Sequence, residues 1–303
     1  QGALVDVIMT KETLRFISPL TFRSITHREV VTDLFNPQSE LAVNHVAIAE
    51  RADLIIVAPA TANTIAKLSL GLADDVLTVT ILASRAPLII APAMDANMYG
   101  SPVTHEHIDR LTSRGAVIAG PVEGRLASGL YGSGRLLETP ELLGHISATL
   151  GKNGDMSGRK IVVTAGGTHE QIDPVRSITN RSSGKMGYSI AEAARDRGAD
   201  TILITAPTCL PDPVGIKVIH VETAMQMHDS VIKACRTSEV LIMAAAVADW
   251  RPLKREPQKV KKGDSDTWRV DLVKNPDILD SATGSGLIKV GFAAESEDLL
   301  KGA

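Results

Sequence analysis

Lys160-Ile-Val-Val-Thr-Ala-Gly-Gly-Thr168 decides the fold. Ile161, Val162 and Val163 put apolar side chains on both parities, as a strand needs when a parallel sheet is covered on both faces. The small residues after them end the run in a polar tip. The same grammar repeats outward along the chain. Apolar runs at 54–57, 88–90, 117–119, 202–204, 240–243 and 288–290 predict further strands. Segments 103–114, 187–197 and 224–236 carry apolar residues at helical spacing and predict helices between them. Strand–helix–strand repetition predicts an α/β fold with parallel sheets and right-handed crossovers.

A polar stretch, Gly151-Lys-Asn-Gly-Asp-Met-Ser-Gly158, interrupts the pattern and predicts a domain boundary. We therefore expect two domains, 1–154 and 155–303. Residues 251–267, rich in Lys and holding Pro252 and Pro257, predict a mobile loop or a two-stranded arm. A length of 303 residues and a mass of 32.2 kDa suit two cores. Apolar residues at 44% and charged residues at 22% are an ordinary globular balance. A net charge of −3 and 3% aromatics argue against a nucleic-acid partner. No apolar run approaches the roughly 18 residues of a membrane helix. Two cysteines make no disulfide scaffold and suit a reducing compartment. With no signal peptide read at the start, the expectation is a cytoplasmic protein without a membrane partner.

Both ends read as cuts. Gln1-Gly-Ala-Leu-Val matches Arg114-Gly-Ala-Val-Ile and Arg197-Gly-Ala-Asp-Thr-Ile, where Gly closes a helix before a strand. By that analogy a strand, a Gly-rich turn and a helix precede Gln1. Glu297-Asp-Leu-Leu-Lys-Gly-Ala303 begins a helical pattern and stops. The expectation is a piece of a longer chain.

Ligands of open parallel sheets sit beyond the carboxyl ends of the strands. There the sequence places Ala58-Pro-Ala-Thr-Ala-Asn-Thr64, Ala91-Pro-Ala-Met-Asp-Ala-Asn-Met98, Thr164-Ala-Gly-Gly-Thr168 and Ala244-Ala-Ala-Val-Ala-Asp249. Small side chains let backbone N–H groups approach a phosphate or a flat ring. The tips therefore predict cofactor or nucleotide sites in both halves. The usual phosphate motifs are absent. Gly129-Leu-Tyr-Gly132-Ser-Gly134 has its glycines in the wrong order for a dinucleotide turn, and Ser183-Gly-Lys-Met186 lacks the upstream Gly of a P-loop. His105-Glu-His107 mimics metal spacing, but residues two apart on a helix do not share a face, so zinc is not expected.

Further strings fill in the pattern. The first half adds Asn44-His45-Val46, Gly71-Leu-Ala-Asp-Asp75 and Gly124-Arg-Leu-Ala-Ser-Gly129. The second adds Ile172-Asp-Pro-Val-Arg176, Ile178-Thr-Asn-Arg-Ser-Ser-Gly-Lys-Met-Gly187, Lys259-Val-Lys-Lys262, Asn275-Pro-Asp-Ile278 and Gly291-Phe-Ala-Ala-Glu295. In this order, over essentially the whole chain, they resemble the bacterial bifunctional coenzyme A biosynthesis proteins. In that family a phosphopantothenoylcysteine decarboxylase is fused to a phosphopantothenate–cysteine ligase. The resemblance implies two Rossmann-like parallel-sheet domains, flavoprotein decarboxylase-type and then ligase-type.

For the first half the resemblance implies FMN as electron sink and His45 as catalytic base. Pro59, Thr61, Asn63 and Met94 would contact the cofactor, with Asp95 and Asn97 on the substrate. Two positions depart from the family pattern. Asp95 stands where an Asn often donates to the substrate carboxylate, so it must be protonated, reoriented or relieved by Asn97. Ser128 stands in the lid where the family has a proton-donating Cys. A hydroxyl is the weaker acid, so turnover with a slow final reduction is expected. Cys209 and Cys235 match no catalytic position and read as buried small hydrophobes.

For the second half the resemblance implies CTP, with Mg²⁺ on the triphosphate, and an acyl-cytidylate of 4′-phosphopantothenate that cysteine then resolves. Asn180 would support the intermediate, and Lys259 would follow the phosphates as charge builds. Met243, Ala244, Ala245, Asp249, Asn275, Pro276, Asp277, Ile278 and Phe292 would form the CTP pocket, with Asp249 at the ribose or the metal. The turn Ser182-Ser183-Gly184 would open a helix onto a phosphate. Homo-oligomers are implied too: trimeric decarboxylase halves, dimeric ligase halves and often a dodecamer. Two other readings stay open. One is a non-catalytic flavoprotein-fold regulator. The other is a flavin decarboxylase acting on a different substrate, such as a peptide C-terminal cysteine or an aromatic acid.

Overall fold

A computed structural model describes residues 2–34, 44–261 and 266–292. Gln1, Lys262, the last residues of the Gly291 string and the helical start expected at Glu297 lie outside them. The chain divides into two compact units, Gln1–Ile146 and Ser147–Ala303.

The first unit runs β1 (Val7–Ile8), α1 (Pro19–Thr26), β2 (Val30–Val31), α2 (Asn44–Arg51), β3 (Ile55–Ala60), α3 (Ala62–Leu70), α4 (Val76–Ala83), β4 (Leu88–Pro92), α5 (Ala96–Tyr99), α6 (Pro102–Ser113), β5 (Val117–Ile118), β6 (Val122–Arg125) and β7 (Tyr131–Arg135). Helix α7 (Thr139–Gly151) follows. Strands β3, β4 and β5 form a parallel sheet in that order. Ile89 and Ile90 are both fully buried. Ile89 packs with Ala91, Ala119 and Leu137, and Ile90 with Val57, Ile65, Ile108 and Leu111. Neighbouring side chains on one strand thus enter different apolar clusters, as the mixed parity predicts. Each such burial contributes about 1.5–3 kcal/mol.

The opening run, 4–9, behaves differently. Only Val7–Ile8 forms a strand, paired with β2 and not with the three-stranded sheet. Leu4 is 85% exposed.

Gly71-Leu-Ala-Asp-Asp75 proves to be a helix stop and a helix start. Gly71 closes α3 with φ of 73°, where a side chain would be strained. Asp75 caps α4 in a capping box with Thr78. Lys67 pairs with Asp74 at 2.8 Å and with Asp75 at 3.0 Å.

The second unit runs β8 (Lys160–Ala165), β9 (His169–Gln171), β10 (Ser177–Thr179), α8 (Lys185–Asp196), β11 (Asp200–Thr205), β12 (Lys217–His220), α9 (Ala224–Cys235), β13 (Val240–Met243), β14 (Trp250–Pro252), β15 (Leu272–Lys274), α10 (Ile278–Ser281) and β16 (Ile288–Gly291). Its main sheet is parallel, in the order β12-β11-β8-β13-β16. Val162, Ile204 and Leu241 pack on one side with Met227 and Val231 of α9. Ile161, Val163 and Leu203 pack on the other with Tyr188 and Ala191 of α8. The chain winds outward from β8 to β12 and then returns to β13 on the opposite side. That reversal opens a crevice at the carboxyl ends of β8 and β13, the ordinary ligand site of such sheets.

Two local expectations change: Cys209 is exposed, whereas Cys235 is buried as expected, and the last strand is not covered. Strand β16 forms, but all its residues are exposed; among the described residues it stands at the sheet's edge and pairs with β13 alone. Residues 251–267 begin in a two-stranded antiparallel arm, with β14 paired to β15. No helix among the described residues is long and apolar enough to cross a membrane.

Candidate functional site

In the first unit, Asp95 ends the loop after β4 and caps α5, its Oδ1 accepting the Asn97 N–H at 3.0 Å. Its Oδ2 accepts the Ser128 hydroxyl at 2.6 Å. Ser128 lies in the turn of the β6–β7 hairpin, which is fastened to the same loop by the Met94 N–H donating to the Gly134 carbonyl at 3.0 Å. A Cβ on Gly134 would collide with the Met94 carbonyl oxygen, and one on Gly132 would sit 2.9 Å from Ala96 Cβ. Those glycines, out of order for a phosphate turn, are what let the hairpin close on the loop. The Ser128 hydroxyl and the Asn97 N–H hold the Asp95 carboxyl below its ordinary range, against a smaller opposing effect of desolvation. Asp95 is therefore ionised near neutrality and turned toward the lid.

The other residues of this half lie around the strand tips. The Ala93 N–H donates to the Ala60 carbonyl at 3.0 Å, which joins the ends of β3 and β4. Thr61 caps α3, accepting the Thr64 N–H at 3.3 Å. Pro59, Thr61 and Asn63 are exposed, and Met94 packs at the edge of the Ile90 cluster. A shelf with no large side chain beside a helix start fits a flat ring carrying a phosphate. His45 lies near the start of α2, its Nδ1 buried with no hydrogen-bond partner among the described residues. Among the described residues, no hydrogen bond joins His45 to Asp95 or Ser128. His105 meets the edge of Tyr99, with centroids 5.2 Å apart. His107 Nδ1 meets the Ser69 hydroxyl at 2.9 Å, so the two histidines have different surroundings.

In the second unit, the tips of β8 and β13 are laced together. The Ala245 N–H donates to Thr164 Oγ1 at 3.1 Å and the Ala248 N–H to Thr168 Oγ1 at 3.0 Å. The Ala246 N–H donates to the Gly166 carbonyl at 2.8 Å. Asn180 donates from Nδ2 to the Val247 carbonyl at 3.1 Å and the Ala246 carbonyl at 3.4 Å. Asn275 donates from Nδ2 to the Ala248 carbonyl at 2.7 Å, and Arg251 donates to its Oδ1 at 2.8 Å. The Phe292 N–H donates to the Met243 carbonyl at 3.3 Å. Asn180, Asn275, Phe292 and the segment 243–249 thus form one constellation at the crevice.

Other expected residues stand apart from it. Ile278 is 3% exposed in the α9 cluster, and Asp277 caps α10. Pro276 links Asn275 to that cap. Lys259 is exposed in the loop after β14, with no hydrogen bond to the constellation among the described residues. Asp249, by contrast, belongs to the constellation: its carbonyl accepts the Asn275 N–H at 2.7 Å and its carboxylate is exposed, while no group of three or more metal-ligating side chains occurs among the described residues. One carboxylate fits a Mg²⁺ that arrives on a triphosphate, since that ion keeps phosphate and water ligands. Gly184 caps α8 with φ of 74° and no side-chain hydrogen bond. Sequence reasoning missed Thr164, Thr168 and Arg251, whose partners lie about 80 residues away or across the arm; the Thr at each end of the tip was the only signal.

A model of the family described as Flavoprotein matches residues 1–151. A second, described as DNA/pantothenate metabolism flavoprotein C-terminal domain, matches residues 156–303. The coenzyme A biosynthesis bifunctional protein CoaBC of Vibrio cholerae is 43% identical over 303 residues, covering 99% of this chain and 76% of its own. Its counterpart in Mycobacterium tuberculosis is 44% identical over 307 residues, covering 97% and 73%. Among solved structures, the C-terminal domain of a CoaBC protein aligns at 41% identity, over 42% of this chain and 58% of that one, with a TM-score of 0.37.

Proposed function

The chain belongs to the family of coenzyme A biosynthesis bifunctional proteins, and from that premise we propose that it carries out two successive steps of that pathway. In the first, the second unit joins cysteine to 4′-phosphopantothenate. The substrate carboxylate attacks the α-phosphate of CTP and pyrophosphate leaves. The cysteine amine then attacks the acyl carbon and CMP leaves. In the second step, the first unit removes the cysteine carboxylate as CO₂ to give 4′-phosphopantetheine.

The observation that supports this best is the crevice constellation. Asn180 and Asn275 hold the 244–249 backbone from two sides, at the place where a sheet of this winding binds nucleotides. A backbone fixed in that way can read the edge of a flat base. Asp249 would hold the ribose or a Mg²⁺ on the phosphates, and Lys259 would neutralise charge on the leaving pyrophosphate. In the first unit, FMN would take up and return the electrons that make decarboxylation feasible. His45 would accept the substrate proton.

A second reading is favoured by one contact. Ser128 bonded to an ionised Asp95 suits a decarboxylase half slowed at its last protonation, or retired to regulation. The test is a full-length protein given CTP, Mg²⁺, 4′-phosphopantothenate and cysteine. CMP release that requires cysteine, with a bound-flavin spectrum and CO₂ evolution, is expected. A colourless protein that releases no CMP would overturn the proposal.

A further inference from the structure

The loop carrying Lys259 is gripped by a buried carboxylate for which the proposed chemistry has no use. Asp173, at the tip of the β9–β10 hairpin, is only 1% exposed. Its Oδ1 accepts the N–H groups of Val175 at 2.8 Å and Arg176 at 2.9 Å, which folds the tip. Its Oδ2 accepts Arg176 Nε at 2.9 Å and the Val260 N–H at 3.2 Å. Arg176 in turn donates from Nη2 to the Val260 carbonyl at 2.5 Å. Both backbone polar groups of Val260, the residue after Lys259, are thus held by one ion pair. The Glu256 N–H donates to the Ile172 carbonyl at 2.8 Å on the outgoing limb of the same loop. On the returning limb, the Arg176 guanidinium lies 4.5 Å from the Trp268 ring centroid.

The hairpin that makes this grip also leads to the crevice. Asn180 follows β10 directly, and its amide holds the Ala246 and Val247 carbonyls. One short two-stranded element therefore has the nucleotide segment at its base and the Lys259 loop at its tip. A turn alone is served by an exposed Asp. Burying the charge is costly unless each lone pair is satisfied, and here Val260 supplies one of the donors.

We propose that Asp173 is a positioning residue for the ligase step: it fixes the backbone at Val260 so that Lys259 is presented at a set distance from the Asn180 crevice. The proposal rests on the CTP-dependent ligase reading above.

The experiment uses the full-length protein with Asp173→Asn, and in parallel Trp268→Leu, which removes the ring stacked on Arg176 and leaves the Asp173 side chain itself in place. Hydrogen exchange of the peptide spanning Glu256 to Lys261 reads the grip. Single-turnover formation of the acyl-cytidylate reads its consequence, with the CTP dissociation constant measured separately. Faster exchange in both variants is expected, about tenfold or more for Asp173→Asn. Acyl-cytidylate formation should slow by about tenfold while CTP affinity changes less than about twofold, since each factor of ten is one lost interaction of about 1.4 kcal/mol. Unchanged exchange, or normal activation despite faster exchange, would overturn the proposal, and Trp268→Leu decides it if Asp173→Asn does not fold. A wild-type protein that forms no acyl-cytidylate overturns the ligase reading instead, and with it any role for Lys259. The two failures are told apart by which protein shows them.

Discussion

Ser128, in the turn of the β6–β7 hairpin, donates its hydroxyl to Asp95 at 2.6 Å. The two positions expected from the sequence to depart from the decarboxylase pattern that this chain resembles are thus in contact. A hydroxyl facing a carboxylate is a poorer acid than one facing solvent, because the anion opposes loss of its proton. Restoring a thiol alone should therefore fail to restore fast protonation. We predict that Ser128→Cys leaves the last reductive step slow, because Asp95 raises the thiol's pKa. Adding Asp95→Asn should speed that step by about tenfold or more. Stopped-flow flavin reoxidation on the full-length protein checks both, and a fast Ser128→Cys single variant would contradict the coupling.

The same contact should hold the lid in place. Arg125 and Arg135 are exposed in the hairpin strands, so trypsin reports its opening. Ser128→Ala and Asp95→Ala should each accelerate cleavage there. Because they remove the two ends of one bond, the double variant should be cut at most about twofold faster than the faster single one. Multiplying effects would mean that the bond does not hold the lid.

Gly134 has no room for a side chain, since its Cβ would enter the Met94 carbonyl. Gly134→Ala should destabilise the first unit by about 1–3 kcal/mol, the usual cost of overpacking. It should also displace the loop that carries Asp95. Denaturant unfolding with flavin release as a second signal measures this. Gly129→Ala is the control, because that residue meets nothing within 4 Å, although its φ of 86° brings strain of its own.

Asp75 makes a pH prediction. Partial burial pushes its carboxyl up, but the Thr78 N–H, the Lys67 ammonium and the Thr78 hydroxyl outweigh that and hold it below its ordinary range. Its folded pKa lies below its unfolded one, so its stabilisation is fully present above roughly pH 4 and is lost as the pH falls through the folded value. Asp75→Ala should cost about 1 kcal/mol at neutral pH, and the gap between variant and parent should close in acid. A constant gap down to about pH 2 would refute the assignment.

The parts of the fold legible in the sequence were those written in local periodicity. Ile89 and Ile90 on opposite faces of β4, or Val162 and Val163 on opposite faces of β8, follow from adjacent apolar residues in a short run. Strand β16 is the exception: Lys289 separates Ile288 from Val290, and its place at the edge of the described sheet leaves all its residues exposed. The site was legible where small residues end a strand. It was hidden where a bond spans the chain: Thr164 with Ala245, Asp173 with Val260 and Asp95 with Ser128 are 81, 87 and 33 residues apart. Nothing local marks such partners. Gly132 and Gly134 looked like a failed phosphate turn for the same reason, since the Met94 loop they admit is distant in sequence.

Asn180 and Lys259 should separate the two halves of the ligase reaction. The Asn180 amide nitrogen donates to two carbonyls of the 246–247 segment. A carboxylate there has no hydrogen to give and faces those oxygens with like charge. Asn180→Asp should therefore loosen the crevice on the acyl side while leaving the CTP phosphates reachable by Lys259. The acyl-cytidylate should form and accumulate, with CMP release falling by about a hundredfold. Lys259→Gln keeps the loop but removes the cation that meets the leaving pyrophosphate, so no intermediate should appear. Quenched-flow separation of acyl-cytidylate from CMP distinguishes the two variants. If both accumulate the intermediate, or neither slows CMP release, the division of labour between crevice and loop is wrong.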